Sequence, residues 1–405
     1  MPLQCFNWIT ELLGPLVHNL RHTNEGPEGI FTRLPDCLII DVLSRLPADC
    51  LLRCQRDCRV WKALISSRYF STLHLRRARP VLIIEWDRCF TSHEQDLFIF
   101  DGSLNKDKMF TRVLLKRELM INKVNKHRPH LRYSCEGVLL FMVLCSRPTY
   151  FIFNPITQEG VTIRHKFDPG YLCAFYYCSL TSEFKLLYAR KEGSRCQYSI
   201  YTVRTQTWRK IHSPTSNCLP YVSPAIVNGA VHLLVGKDLE KPDTPPCANG
   251  IMVLKMDKEE LSAMPHPGSV CSSWRTHQTM SLLVKDESLC LCQLFVAENE
   301  MDIWILEDYE TWVWTKRCKV NLGFNNQGIR LSKPFVDRSY WEVVLYMCWQ
   351  IQPLHFQDGE LVFYWFSRGL FMCNLDHNTL RNIEGPQGSM VYTCKPYKKS
   401  LLTIA

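Results

Sequence analysis

The order of apolar and polar positions changes once along this chain of 405 residues. Between about residues 30 and 75, apolar residues recur at the three-to-four spacing of a helix. From residue 81 onward, short apolar and aromatic runs alternate with Gly, Pro, Asn, Asp and Ser at intervals of roughly ten residues, which is typical of antiparallel strands. The sequence therefore predicts a small helical unit, a boundary near Arg79-Pro80 and a large β domain.

The β region repeats itself. A strand that ends in an aromatic or apolar residue and continues into a polar turn recurs, with the aligned residues Phe100, Phe153, Tyr201, Leu254, Trp304 and Met372. The intervals are roughly 50 residues, apart from a longer one before Met372, and such periods are typical of β-propeller blades. A pair of sandwiches would share the strand spacing but would not explain the repeat. We therefore predict an α+β chain in which a three-helix unit precedes an all-β propeller of six or seven irregular blades.

The segment LPDCLIIDVLSRLP at residues 34–47 predicts a short helix with a Leu-Pro pair at each end. Pro35 suits the first turn because its missing N–H would have no helical partner there, and Pro47 cannot continue the helix. The apolar residues lie along two lines, Leu38–Val42–Leu46 and Ile39–Leu43. A surface helix needs one apolar face, so the second face predicts an interface. Spacing alone leaves open which line faces inward.

Residues 33–75 resemble an F-box as it occurs in plant proteins. The ordered matches are Leu34-Pro35, Leu38, Leu43, Arg45-Leu46-Pro47, Leu51-Leu52, Cys58-Arg59, Trp61, Leu64-Ile65, Phe70 and His74-Leu75. The β region is similar to the F-box-associated domain of the same proteins, through Asn154-Pro155-Ile156-Thr157, Trp208, CEG at 135–137 and VNGAVHLL at 227–234. The resemblance implies a flanking segment at 1–29, an F-box at 30–79 and a propeller-like substrate-binding domain at 80–405.

The resemblance also implies a function, namely that of the substrate-recognition subunit of a Skp–cullin–F-box (SCF) ubiquitin ligase. The F-box would dock on a Skp-type adaptor, which joins it to a cullin–RING ligase, and the β domain would hold an unknown protein substrate. Such a subunit is not an enzyme and acts by raising the effective concentration of the substrate. No catalytic residue, metal or cofactor is expected. The residues expected to bind the adaptor are Leu34, Pro35, Ile39, Leu43, Leu46, Pro47, Leu51 and Trp61.

The sequence leaves the substrate-binding residues unassigned. Interfaces favour Trp, Tyr and Arg, and binding residues often lie on loops held by a rigid scaffold. We therefore expect substrate contacts in segments between blades, such as Cys271–Gln278 and Leu322–Asp337.

The net charge of +9 favours one alternative function, that of a basic propeller without ligase coupling that binds RNA or an acidic protein partner. Residues 106–132 are rich in Lys and Arg, with Asp107 and Glu118 as the acidic residues of that stretch. Stacking on bases requires interleaved aromatic residues, of which this stretch offers Phe110. This argues against nucleic acid as the partner.

An enzyme is the other rival class, but the chain has no phosphate-binding loop, nucleophile elbow or H-E-x-x-H motif. Its 20 cysteines include no C-x-x-C pair, which favours reduced thiols that pack as small apolar groups over a zinc or redox site. Cys50, Cys54 and Cys58 recur every four residues and leave a metal site as an alternative.

Reduced thiols are typical of cytosolic and nuclear proteins, so we expect a cytoplasmic and/or nuclear location. The longest apolar run, Val138 to Cys145, is far shorter than the roughly 20 residues that a membrane-spanning helix needs. The N-terminal segment has no basic residue ahead of its apolar part, which argues against a secretory signal.

Asp57 stands where the F-box pattern commonly has Val. A buried carboxylate without a partner costs several kcal/mol, although Arg53 or Arg56 could pair with this one. We expect Asp57→Val to strengthen adaptor binding, measured by pull-down of a Skp-type adaptor with each chain. Equal recovery would show that position 57 is peripheral.

Overall fold

The structure is a computed structural model. It describes residues 35–57, 59–87, 95–102, 110–113, 129–143, 149–164, 170–192, 195–212, 223–235, 250–268, 277, 279–295, 300–322, 351–365, 369–383 and 390–404.

In the described residues between Asp36 and Arg77, four helices form the helical unit. They are α1 (Asp36–Leu43), α2 (Ala48–Asp57), α3 (Arg59–Ile65) and α4 (Arg68–Arg77). The predicted helical unit is confirmed, with four helices in the described part rather than three. The additional helix α4 is preceded by its N-cap Ser67, whose hydroxyl accepts a hydrogen bond from the backbone N–H of Phe70 at 3.2 Å.

The β domain follows the helical unit and extends to the end of its last strand at Tyr397. Its strands are β1 (Val81–Asp87), β2 (Gln95–Phe100), β3 (Phe110–Val113), β4 (Pro129–Cys135), β5 (Val138–Val143), β6 (Thr149–Phe153), β7 (Gly160–Arg164), β8 (Tyr171–Cys178), β9 (Glu183–Glu192), β10 (Arg195–Thr202), β11 (Thr207–Ile211), β12 (Ala225–Val227), β13 (Ala230–Leu234), β14 (Ile251–Lys255), β15 (Glu260–Met264), β16 (Met280–Lys285), β17 (Ser288–Phe295), β18 (Glu300–Asp308), β19 (Val313–Asn321), β20 (Ile351–Gln357), β21 (Glu360–Trp365), β22 (Gly369–Asn374), β23 (Thr379–Ile383) and β24 (Met390–Tyr397).

These strands form six four-stranded antiparallel sheets, the blades of a six-bladed propeller. Blade 1 has the strand order β24-β1-β2-β3, and blades 2 to 6 follow as β4–β7, β8–β11, β12–β15, β16–β19 and β20–β23. The predicted repeat is confirmed, because every aligned residue from Phe100 to Met372 lies on the third strand of its blade. The longer interval before Met372 falls between β19 and β20.

The two ends of the β domain meet in blade 1. Strand β24 pairs antiparallel with β1, with Ile84 opposite Cys394, so hydrogen bonds between the last and first strands close the ring. Buried apolar clusters lie between adjacent blades all around the ring. Each blade therefore packs on both faces, and strands such as β5 and β13 are buried along most of their length.

The helical unit packs directly on the propeller. Its core includes Leu51, Trp61 and Phe70 and continues into two propeller residues, Ile156 of the β6–β7 turn and Leu401 after β24. The two domains therefore share one apolar core.

The C-terminal tail, residues 398–404, runs along this junction. The Asn154 side chain donates hydrogen bonds to the carbonyl oxygens of Ser400 (3.2 Å) and Leu402 (2.8 Å) and accepts one from Ile156 N–H (2.9 Å). The backbone N–H of Ile404 donates to Glu159 at 3.0 Å. Asn154 thus satisfies buried backbone carbonyl groups that would otherwise lack partners.

Gly137 tests how closely the tail packs. Its φ of +81° disfavours any L side chain, and a Cβ there would overlap Ser400 Cβ and the Lys398 carbonyl oxygen. We expect Gly137→Ala to lower the free energy of unfolding in urea by about 1 to 3 kcal/mol more than Gly229→Ala. Gly229 is the matched control because its φ is +68° and nothing lies within 4 Å of its Cβ position. Equal losses would contradict tight packing of the tail.

Candidate functional site

The residues expected to bind the adaptor fall into an exposed and a buried group. Pro35, directly before α1, and Pro47, directly before α2, are exposed. Ile39, in the middle of α1, is half-buried. Four others are buried, namely Leu43, Leu46, Leu51 and Trp61. Leu34 lies outside the described residues.

The buried group holds the helices together. Leu51 is fully buried, and Leu43, Leu46 and Trp61 are at most 7% exposed in the core shared with Ile156 and Leu401. In this arrangement their side chains pack against other helices and the tail. Their apolar atoms are already covered by the rest of the chain, so they are not available to a partner. They can instead support the helix surface above them.

An exposed apolar face lies on α1. Leu38 is 50% exposed, and Ile39 and Ile40 beside it are half-buried. Ile39 and Ile40 also pack partly against the core of the helical unit, so Leu38 is the most exposed large apolar side chain of α1. Exposed apolar side chains of this kind are candidates for a contact with a partner. Leu38 was absent from the expected adaptor-binding residues, although it is one of the F-box matches. Helical spacing left open which line of apolar residues faces inward, and the exposure of Leu38 becomes visible only in the folded chain.

Charged groups hold α1 against α4. The Asp41 carboxylate forms ion pairs with Arg45 at 3.1 Å and with Arg77 of α4 at 2.7 Å. Hydrogen bonds from Arg45 and then Arg77 hold the pKa of Asp41 below its usual value. His74 of α4 is buried, which lowers its pKa, and the neutral ring donates from Nε2 to the Leu46 carbonyl oxygen at 3.0 Å. These contacts orient the exposed face of α1.

A second candidate site is the central cavity of the propeller, about 300 Å³ and lined by the inner strands of all six blades. Its polar groups include His355, Lys395 and Lys398. Burial and the charge of Lys398 lower the pKa of His355 to about 4, and Lys395 Nζ donates to Ser223 Oγ at 2.9 Å. The thiol of Cys394 is protonated, because burial raises its pKa to about 12.

Within the described ranges, no group of three or more His, Cys, Asp or Glu side chains is placed to hold a metal ion. Cys54 is fully buried in the shared core and packs as a small apolar group. Cys50 is half-buried, and Cys58 lies outside the described residues.

Other expected features lie mainly outside the described residues. These are the flanking segment 1–29, most of the basic stretch 106–132, the side chain of Asp57, and the loops Cys271–Gln278 and Leu322–Asp337 apart from His277 and Leu322. Among helices that the structure does describe, none has the length and apolar content needed to span a membrane.

Comparisons with known proteins match both parts of the chain. Residues 31–73 match the family described as F-box domain, and residues 91–402 match the F-box associated beta propeller domain. F-box protein At3g07870 of Arabidopsis thaliana is 23% identical over 322 residues, which cover 71% of this chain and 73% of that protein. Putative F-box protein At3g17480 of the same plant is 26% identical over 320 residues, which cover 71% and 79%.

Buried histidines make the stability of the fold depend on pH. Burial lowers the pKa of His232 and His277 to about 4, against an ordinary value of 6.5. Below pH 6.5 the unfolded chain takes up protons that the folded chain does not, so the free energy of unfolding falls as the pH is lowered from 6.5 towards 4. We expect each of the two histidines to make the free energy of unfolding about 1.4 kcal/mol lower at pH 5.5 than at pH 7.5. Urea unfolding at the two pH values measures this difference.

His232→Gln is the control for this pH dependence. The variant loses one buried histidine, so its loss of stability between pH 7.5 and 5.5 should be smaller than that of the wild-type chain. An unchanged pH dependence in the variant would contradict the assignment of His232.

Proposed function

The chain belongs to the F-box proteins that carry an F-box associated beta propeller domain, and from this we propose that it is the substrate-recognition subunit of an SCF ubiquitin ligase. F-box proteins are generally non-catalytic adaptors. In the proposed complex, the helical unit binds a Skp-type adaptor and through it a cullin–RING ligase. The propeller binds a target protein for ubiquitination. We further propose a cytoplasmic and/or nuclear location.

The observation that carries the proposal is the exposed apolar face of α1 within the F-box match. Pro35 is exposed, Leu38 is 50% exposed, and Ile39 and Ile40 are half-buried beside them. Burial of such a face by a partner removes apolar surface from water, the dominant favourable term in association. We assign Pro35, Leu38 and Ile39 to direct adaptor contact, together with Leu34 and Pro47 from the expected set.

The buried members of the expected set have a positioning role in this proposal. Leu43, Leu46, Leu51 and Trp61 pack in the core beneath α1. Truncation of any of them would leave a cavity and disturb the orientation of α1. Their loss should therefore weaken adaptor binding through the fold of the helical unit.

A receptor must hold its substrate at a defined distance from the ligase, because the gain in effective concentration depends on geometry. Three contacts between the domains support a fixed arrangement. Arg68 of α4 donates to the Ser179 carbonyl oxygen at 2.7 Å, Lys399 pairs with Asp49 at 3.0 Å, and Arg79 pairs with Asp358.

Leu38→Asp tests the adaptor surface. A charge in the centre of the apolar face would have to be buried without a partner, so we expect the affinity for a purified Skp-type adaptor to fall at least tenfold. Isothermal titration calorimetry measures the affinity, and circular dichroism shows whether the helices are retained. Tyr69→Asp is the matched control, since Tyr69 is 68% exposed but lies on α4. Unchanged affinity of a folded Leu38→Asp chain would contradict the proposal.

The substrate-recognition role needs a separate experiment. Affinity purification of the tagged chain, with and without Leu34→Ala/Pro35→Ala, should divide the bound proteins into two sets. Proteins lost in the variant belong to the ligase, and proteins retained are substrate candidates. A retained protein whose ubiquitination does not depend on this chain would be rejected as a substrate.

A further inference from the structure

The turn between β18 and β19 exposes two large apolar side chains. Trp312 is 42% exposed and its neighbour Val313 is 48% exposed. Both belong to the outer hairpin of blade 5. Trp is the residue type most enriched where proteins bind one another tightly, so its exposure here requires an explanation.

The architecture of the turn does not require Trp312. In five blades, the turn from the third to the fourth strand has a residue with positive φ near its end; these are Gln158, Gln206, Glu259, Trp312 and Asn378. Four of the five are polar, as expected for a left-handed backbone that disfavours bulky side chains. Trp312, with φ of +57°, is the exception. The backbone geometry therefore disfavours the indole, which is also 42% exposed.

Hydrogen bonds to Asp308 hold the turn around Trp312. The Asp308 carboxylate accepts hydrogen bonds from the backbone N–H groups of Glu310 (2.8 Å) and Thr311 (3.2 Å) and from the Thr311 hydroxyl (2.5 Å). A turn that is already ordered loses little conformational entropy when a partner binds.

Tyr309 ties the same turn to the neighbouring blade. Its hydroxyl donates to Nε2 of buried His232 at 2.6 Å, and Nδ1 of that ring faces the Ala225 carbonyl oxygen at 3.3 Å. The tyrosine ring packs against the apolar cluster between blades 4 and 5. The indole is thus presented from a support that is fixed on two sides.

Acidic side chains surround the two apolar residues. Glu307, Asp308 and Glu310 are all exposed, and Arg317 neutralises Glu307 at 2.6 Å. The turn is therefore locally negative in a chain whose net charge is +9. This charge repels nucleic acid and favours a partner that carries positive charge.

The corresponding turn of blade 2 already makes a contact between domains. Its residue Ile156 enters the core of the helical unit, and Asn154 binds the tail. The blade 5 turn has the same connectivity but presents its apolar residues to solvent. The blade 2 turn thus shows that a turn of this type can bind another structural unit, and the blade 5 turn has the apolar residues to do the same.

We propose that Trp312 and Val313, flanked by the exposed carboxylates of Asp308 and Glu310, dock a substrate segment in which an apolar side chain is flanked by Lys or Arg. This surface is called the Trp312 surface below. That the partner is a substrate rests on the proposed function. The apolar contact and the attraction between opposite charges do not depend on that function.

Trp312→Asn separates binding from stability. Asn tolerates positive φ, so we expect the melting temperature of the variant to be unchanged or higher. The probe is a synthetic peptide with a Leu-Phe centre flanked by lysines, and its affinity should fall at least tenfold in the variant. A peptide with the same centre flanked by glutamates should not bind the wild-type chain. Gln206→Asn is the matched control, because it introduces the same residue at the corresponding positive-φ position of the blade 3 turn.

Several results would overturn the proposal. These are equal binding of the lysine peptide by wild type and Trp312→Asn, equal binding of the glutamate peptide, or no binding of the lysine peptide by the wild-type chain. A lower melting temperature of Trp312→Asn would assign the indole to folding instead. Loss of adaptor binding in that variant would assign the surface to the adaptor.

Adaptor titration of the same proteins distinguishes this proposal from the proposed function. Trp312→Asn should bind the adaptor as wild type does, and Leu38→Asp should keep the lysine peptide while it loses the adaptor. If the wild-type chain binds the peptide but no adaptor, the ligase function fails and the Trp312 surface stands.

Discussion

The pairing of β24 with β1 is the interaction on which the rest of the structure depends. It joins the two ends of the β domain within one blade and closes the ring. Because apolar clusters lie between every pair of neighbouring blades, an open ring would expose the clusters beside blade 1 to water. The stability of a distant blade is therefore coupled to contacts that form only when the whole chain has been ordered.

The segment that closes the ring also positions the helical unit. Immediately after β24, the tail packs against Gly137, and its carbonyl oxygens accept hydrogen bonds from the Asn154 side chain. Leu401 of the tail lies in the core of the helices. The helical unit that carries α1 is thus held on the propeller through the buried residues Ile156 and Leu401. Under the proposed function, ring closure would also fix the spacing between the adaptor surface on α1 and the propeller.

The same type of turn serves different purposes around the ring. The backbone of the turn is set by the hairpin between the third and fourth strands, as the shared positive φ shows. Side chains then decide what the turn contacts: Ile156 turns into the shared core, while Trp312 meets solvent. Function in this fold depends on such local substitutions more than on the scaffold, which tolerates them.

The sequence by itself determined the order of the domains and the repeat, because both depend on local spacing. The aligned residues Phe100 to Met372 all mark third strands, and the Leu-Pro pair before Asp36 marks the start of α1. The sequence could not decide which apolar residues of α1 are covered. Helical spacing shows which residues share a face, but the residues that complete the core, such as Phe70, Ile156 and Leu401, lie far away in the chain. Only tertiary packing brought those residues to the helices, buried Leu43 and Leu46, and left Leu38 and Trp312 in contact with water.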